Sequence, residues 1–281
     1  MRKTLIYHLY CGSDFAENPA NMLHFLALNK YIGCFDEVRF TIAVDRLDNL
    51  KLIKTATEWI LGLSHFGSKS IRVVKNTDLY EVETFRSEFL ENYEKLDGMV
   101  FFAHNKGTTN IIKDGVFQMN VARWICAMYY YNFEFLSEVE GLFTGTVRAS
   151  EVFYGTLLQY FSKERQCQVH AMPNNTSGLI YSGTFYWINM PKYKNCRTMG
   201  VIKNVEADSR FFAEEYPGMF LERYAYGCGI TSHNDAILDA MRYNIYDLNE
   251  EEWGEVLDIL GDGEGYAEFS NGIIKKLFDE Q

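Results

Sequence analysis

The sequence predicts an α/β fold built on a mostly parallel β-sheet. Short apolar or alternating runs of strand length recur along the chain up to Ala103, and stretches with apolar residues at helical spacing lie between them. A β-α-β-α-β-α-β order is typical of parallel strands joined by crossover helices that cover both faces of the sheet.

Four strands and three helices make up this alternation. The strands are predicted at Leu5–Tyr10, Glu37–Val44, Ser70–Lys75 and Met99–Ala103. The first helix is predicted over Asn21–Tyr31, and in the second Leu50, Ile53 and Ile60 share one face. The third helix is marked by an apolar stripe of Leu79, Val82, Phe85, Phe89 and Tyr93. The arrangement is Rossmann-like, although no G-x-G-x-x-G follows the first strand, so the dinucleotide-binding fingerprint is absent.

The pattern changes after residue 115. The sequence predicts one long helix over Asn120–Glu140, a second helical segment over Ser150–Phe161 and a β-rich stretch over Leu179–Asn189. Further helices are predicted in the acidic C-terminal part at Asp235–Tyr243, Glu250–Leu260 and Asn271–Phe278. We therefore expect a helical and mixed second half.

The composition of the chain limits which binding partners and which cellular location we expect. The formal charge of −11 among 281 residues disfavours nucleic acid and anionic membrane surfaces, because both bind clustered Lys and Arg. No segment approaches the length of a membrane span, so we expect no transmembrane segment. The six cysteines form no C-x-x-C motif, which favours reduced thiols and a cytoplasmic location.

A polar, glycine-containing loop follows the fourth strand. The segment Gly98–Asn110 reads GMVFFAHNKGTTN, so His104, Lys106, Gly107 and Thr108 come directly after a buried strand. Ligands of open α/β folds bind at the carboxyl ends of the strands. A cation beside a glycine and hydroxyls suits an anionic ligand such as a diphosphate.

Three motifs in this order resemble a family of bacterial sugar transferases that build capsule, O-antigen and related surface glycans. The first is H-x-K-G in Ala103–Thr109, the second Y-S-G-x-F-x-W in Tyr181–Asn189, and the third R-x-x-A-E-x-x-x-G in Arg210–Gly218. The resemblance extends from about residue 4 to about residue 235. It implies a GT-A-like fold, with residues 1–115 as the nucleotide-sugar-binding half and residues 116–281 as the acceptor-side half.

The resemblance also implies a donor site at the first motif. GT-A enzymes usually hold a divalent metal with a D-x-D motif, whereas the matching position here reads His104-Asn105-Lys106. We therefore expect Lys106 to contact the donor phosphates, with help from His104 and the amides of Gly107 and Thr108. Other expected donor contacts are His8, Tyr10, Gly12 and Asp45. Asp45 and Asp48 form a D-x-x-D pair that can contact a ribose or a metal, or they can be a helix N-cap and a solvated acid. Nothing in the sequence requires a metal.

The second and third motifs are expected at the acceptor side. Glu214 matches the recurring acid of the family and is the predicted general base, with Asp208 in reserve. Glu214 can alternatively be a surface acid or pair with Arg210 at i, i+4 spacing. The residues expected to surround the sugar or acceptor are Ser182, Gly183, Thr184, Trp187, Arg210 and Glu215. The alternative for the second motif is an internal aromatic strand.

The function expected from this reasoning is glycosyl transfer from a UDP- or GDP-sugar to a glycan or lipid-linked acceptor in surface polysaccharide synthesis. Two alternatives stay open: another α/β enzyme acting on nucleotides or phosphorylated metabolites, and a noncatalytic glycan-binding relative.

Overall fold

The computed structural model describes twelve stretches of the chain, and every structural statement below concerns them. They are residues 1–105, 107–109, 111–113, 115–117, 119–133, 136–144, 152–155, 158–160, 179–181, 184–198, 212–219 and 225–227. Within these stretches, no helix is both long enough and apolar enough to cross a membrane.

The first half forms the predicted strand–helix alternation. Its strands are β1 (Lys3–Cys11), β2 (Glu37–Val44), β3 (Ser68–Lys75) and β4 (Met99–His104). Its helices are α1 (Pro19–Tyr31), α2 (Leu50–Gly62) and α3 (Glu81–Thr84), and α3 continues directly into a wider π-helical turn over Phe85–Leu90. The α1 helix begins where Asn18 accepts a hydrogen bond from the Ala20 amide, with Pro19 in its first turn.

The second half differs from its prediction in several places. The single helix expected over Asn120–Glu140 is two helices, α4 (Met119–Phe133) and α5 (Leu136–Thr144). The helix expected over Ser150–Phe161 is wrong, because β7 (Phe153–Gly155) and β8 (Leu158–Tyr160) lie there. Helix α6 (Met190–Thr198) was not predicted. The remaining elements are the short strands β5 (Ile112–Lys113), β6 (Val116–Phe117), β9 (Leu179–Tyr181), β10 (Tyr186–Asn189) and β11 (Ala225–Gly227), and helix α7 (Phe212–Glu215).

Seven strands form the central sheet in the order β11-β7-β10-β4-β1-β2-β3. Strand β1 pairs in parallel with β2 and with β4, and β2 pairs in parallel with β3. Strand β10 is the reversed member, since it pairs antiparallel with both β4 and β7. The fold is therefore α/β with a mostly parallel sheet, as predicted.

The sheet separates two apolar layers, because alternate residues of each strand face opposite sides. Leu5, Phe101 and Trp187 face the layer that contains α1, α2 and α4. Ile6, Phe102 and Tyr186 face the layer that contains the π-helical turn and α6. Burial on both faces explains why β4 reads as a continuous apolar run.

The strand order of the sheet has a topological switch point between β1 and β4. The chain adds β2 and β3 on one side of β1 and then returns to add β4 on the other side. Such a switch point leaves a crevice at the carboxyl ends of the two strands, which is where open α/β sheets bind ligands. The loop after β4 and the end of β1 therefore meet where a ligand is expected.

Candidate functional site

Asn105 joins the two strands of the switch point. Its side-chain oxygen accepts a hydrogen bond from the Tyr10 amide at 2.8 Å, and its side-chain nitrogen donates to the Tyr10 carbonyl at 2.7 Å. The same nitrogen also donates to Oδ1 of Asn21 in α1 at 2.8 Å. The Asn105 side chain therefore continues the hydrogen bonding between β1 and β4 beyond the last backbone pair, and it fixes the start of the loop.

The loop after β4 is also held at Gly107 and Thr108. Gly107 has a φ of +87°, and a Cβ at this position would lie 2.8 Å from Cγ1 of Val121 in α4. The Thr108 carbonyl accepts a hydrogen bond at 2.9 Å from the side chain of Asn18, the N-cap of α1. Glycine is needed here both for its positive φ and for close approach to α4. The loop is thus anchored to two helices.

Two buried histidines lie side by side on β1 and β4: His8 is three residues before the end of β1, and His104 is the last residue of β4. His8 and His104 are register partners in the parallel β1–β4 ladder, so they point to the same face of the sheet. Helix α3 contacts both rings: Nδ1 of His8 lies 2.8 Å from Oγ1 of Thr84, and Nδ1 of His104 lies 3.4 Å from Oε2 of Glu81. Burial is the largest effect on His8 and lowers its pKa to about 4.

Glu81 links the first motif to the second. Its Oε1 accepts a hydrogen bond from the Thr184 hydroxyl at 3.3 Å, while its Oε2 faces His104. Thr184 is buried and has a φ of +58°, a conformation that is unfavourable for a β-branched residue. Backbone strain of this kind concentrates at functional sites.

The third motif reaches the same helix. Helix α7, which contains Glu214 and Glu215, packs against α3. Both glutamates are buried. The fold therefore brings described residues of all three motifs to α3, although 71 residues separate the first motif from the second and 20 residues separate the second from the third.

Asp45 connects the ends of the first three strands. Its Oδ2 accepts a hydrogen bond from the Tyr10 hydroxyl at 3.2 Å, and its Oδ1 accepts one at 3.1 Å from the side chain of Asn76, which follows β3. Burial, followed by the nearby Asp45, raises the pKa of Tyr10 to about 12. Asp45 is not the N-cap of α2, because Asn49 accepts the Leu52 amide there. Asp48 instead pairs with Arg46 at 2.7 Å.

Trp187 is a core residue, which corrects its expected role at the sugar. Its ring is fully buried, stacks on Phe35 with centroids 5.6 Å apart and lies 4.8 Å from Phe101. The indole N–H donates to the Asn132 carbonyl at 3.0 Å. With its ring packed on Phe35 and Phe101 and its polar atom engaged, Trp187 matches the alternative of an internal aromatic strand.

The other candidates divide between the crevice and the undescribed residues. Gly12 is in the turn after β1, where its carbonyl accepts a hydrogen bond from the Phe15 amide at 3.1 Å. The predictions that lie outside the described residues concern Lys106, Ser182, Gly183, Asp208, Arg210 and the three C-terminal helices.

Sequence reasoning missed Glu81, Thr84 and Asn105 as site residues. A usable signal for Glu81 was its position four residues before Phe85, since residues at i and i+4 share a helix face and Phe85 belongs to the apolar stripe. An acid on a buried face needs a partner, which His104 and Thr184 provide.

Among the described residues, Asp45 and Asp48 do not share a site of the D-x-D kind. Asp45 and Asp48 are engaged by separate partners. In the part of the chain that the structure describes, no group of three or more His, Cys, Asp or Glu side chains is arranged to hold a metal ion. Comparison with models of known protein families and with curated proteins finds no match to the chain.

Proposed function

We propose that this protein is a glycosyltransferase that moves a sugar from a UDP- or GDP-sugar to a glycan or lipid-linked acceptor in surface polysaccharide synthesis. The observation that carries the proposal is the meeting of described residues from the three motifs at one helix. His104 and Thr184 both contact Glu81 of α3, and the helix containing Glu214 packs on α3. That meeting occurs beside the crevice where an α/β sheet binds nucleotides.

The strand order supports a GT-A-like identity for the fold. The parallel half follows the Rossmann order β3-β2-β1-β4, and the reversed strand β10 joins it to a mixed second half. This division matches a donor-binding half followed by an acceptor-side half. We assign residues 1–115 to the donor and residues 116–281 to the acceptor.

The donor nucleotide is assigned to the ends of β1, β2 and β4. Asp45 follows β2, and Rossmann folds use an acid to bind the ribose hydroxyl of their cofactor. Asp45 is exposed, and its contacts with Tyr10 and Asn76 hold it at the sheet edge. Lys106 is assigned to the diphosphate, together with the amides of Gly107 and Thr108.

Transfer requires a proton acceptor and stabilisation of the leaving group. In the inverting form of the reaction, the acceptor hydroxyl gives its proton to the Glu214 carboxylate, and its oxygen forms a bond to the anomeric carbon. The bond from that carbon to the donor phosphate breaks, and the nucleoside diphosphate leaves with the electron pair. Lys106 offsets the negative charge that develops on the diphosphate.

The proposed compartment is the cytoplasm. Cys11, Cys34 and Cys126 are free thiols, which fits a reducing environment. Burial raises the pKa of the Cys126 thiol to about 12, so this group is inert as a nucleophile.

The proposal is tested by separating nucleotide binding from turnover. Lys106→Ala is expected to weaken UDP or GDP binding strongly, whereas Glu214→Gln is expected to keep binding and lose transfer. Lys51→Ala, at an exposed position of helix α2, is the control and should change neither binding nor turnover. Calorimetry measures binding, and release of nucleoside diphosphate measures turnover. Nucleotide binding without turnover by the wild type would favour a noncatalytic relative. Wild-type behaviour of both site variants would contradict the assignment.

A further inference from the structure

We propose that His8 and His104 together bind one divalent transition-metal ion of the kind that prefers nitrogen ligands, such as Zn²⁺ or Co²⁺. The inference rests on the geometry of the two imidazoles and does not require the proposed function. Neither the sequence motifs nor the acidic residues of the crevice point to such a site.

The backbone sets the two rings next to one another. His8 and His104 are partners in the β1–β4 register and project from the same face. Neighbouring strands lie about 4.8 Å apart, so two imidazoles at matching positions need to lean only slightly toward each other to share an ion. Zinc binds imidazole nitrogens at about 2.0–2.1 Å, which places two nitrogen ligands of one ion about 3.3 Å apart.

Helix α3 orients both rings in the same way. Thr84 holds Nδ1 of His8, and Glu81 lies beside Nδ1 of His104. Because both Nδ1 atoms turn toward the same short helix, both Nε2 atoms face away from it. An imidazole whose second nitrogen contacts a carboxylate or another oxygen is the usual arrangement around a protein-bound metal, since that contact fixes the tautomer and orientation of the ring.

The two Nε2 atoms are buried without a hydrogen-bond partner among the described residues. His8 is 2% exposed and His104 is 7% exposed. A buried polar atom that is left unpaired is unfavourable, and a pair of such atoms on adjacent strands calls for a specific cause. A bound metal ion would satisfy both.

The ligand type selects the class of metal. Imidazole nitrogen suits Zn²⁺, Co²⁺, Ni²⁺ and Cu²⁺, whereas Mg²⁺ and Ca²⁺ prefer oxygen ligands. Since no group of three metal-binding side chains converges among the described residues, two positions of a tetrahedral ion are left to water or to an oxygen of a bound ligand.

The test is titration of the metal-free, full-length protein with Co²⁺ alone, followed by its visible absorption. The wild type should bind one equivalent that is lost in His8→Gln and in His104→Gln. Glu81→Gln should keep the site and weaken it about 10- to 100-fold, because Glu81 contacts a ligand and not the ion. His65→Gln is the matched control, since Nε2 of His65 already lies 2.9 Å from the Phe35 carbonyl, and it should bind like the wild type.

A measurement on the wild type covers the case in which a histidine variant does not fold. Pulsed electron paramagnetic resonance on the Cu²⁺-loaded protein counts coordinated imidazoles through their remote nitrogens. Two coordinated imidazoles, removed by the variants that fold, support the site. Fewer than two imidazoles, unchanged Co²⁺ affinity in a folded His8→Gln or His104→Gln variant, or no binding by the wild type overturns it. Nucleotide binding is measured separately, so failure here leaves the proposed function standing.

Discussion

Replacing Asn105 with alanine is expected to loosen the switch point of the sheet. The Asn105 side chain makes three hydrogen bonds of 2.7–2.8 Å: two with the Tyr10 backbone and one with Asn21. Asn105→Ala removes all three hydrogen bonds. The amide and carbonyl of Tyr10 and Oδ1 of Asn21 then lose the Asn105 side chain as a partner. The change therefore separates the end of β1 from the start of the loop after β4.

The size of the effect follows from the number of bonds. A hydrogen bond inside a protein contributes about 1 kcal/mol net, so the loss of three lowers the free energy of unfolding by about 3 kcal/mol. For a chain of this size, 1 kcal/mol corresponds to about 2–4 °C in Tm, which gives a decrease of about 6–12 °C. Nucleotide binding should weaken in parallel, because Asn105 fixes the start of the loop.

Urea unfolding followed by circular dichroism measures the change, and Tm provides a second reading. Asn76→Ala is the matched control, because it removes one hydrogen bond to the exposed Asp45 and should cost less than about 1 kcal/mol. If Asn105→Ala costs no more than Asn76→Ala, the three bonds do not hold the switch point and the reasoning fails.

Two further predictions concern the loop glycines and His8. Gly115→Ala should lower the free energy of unfolding by about 1 kcal/mol, because Gly115 has a φ of +76° but a Cβ there would have open space. Gly107→Ala should lower it by about 2–4 kcal/mol, because the added Cβ also clashes with Val121. Equal losses in urea unfolding would contradict this difference. The pKa of His8 is about 4 in the folded protein and 6.5 in the unfolded chain. Between these two pH values the unfolded chain therefore binds more protons than the folded protein. As a result, the free energy of unfolding falls as the pH decreases from about 6.5 to about 4. This loss amounts to about 3 kcal/mol in the metal-free wild type and should be absent in His8→Gln; identical pH profiles of the two proteins would refute it.

The first half of the fold was predictable because local and global signals agree there. Strand β2 was predicted at its observed bounds. Strands β3 and β4 differ from their predictions at one end and β1 at both ends, in each case by one or two residues. Strands β1, β2 and β4 are largely buried, and the segments between the strands carry apolar residues at helical spacing, so periodicity distinguishes the two element types. The α/β class followed from this alternation.

The second half was less predictable because its elements are short and their partners are distant. Strand β7 has three residues and pairs with β10, more than thirty residues later in the chain. A three-residue strand is too short to display a period of two, so the surrounding apolar residues matched a helical spacing instead. Likewise, the sequence has no proline or glycine between α4 and α5 that would indicate two helices in place of one.

The sequence indicated which segments contribute to the site, but it did not indicate which side chains contact each other there. Position at a strand end indicated His8 and His104, because the carboxyl ends of parallel strands meet at one edge. The role of Glu81 depends on the register that sets His8 beside His104 and on the path that brings Thr184 to α3. Trp187 matched a motif, but its position on β10 turns it to the interior, and only the sheet order shows this.

The most direct test of the central claim is a thermal-unfolding panel of nucleoside diphosphates and their sugars, with and without Mn²⁺. A ligand at about 100 times its Kd stabilises the folded state by about 2.7 kcal/mol, so UDP or GDP and the matching sugar should raise Tm by several degrees. Adenosine diphosphate serves as the comparison and should give a smaller increase. An unchanged Tm with every nucleoside diphosphate at millimolar concentration would contradict a donor site at the switch point.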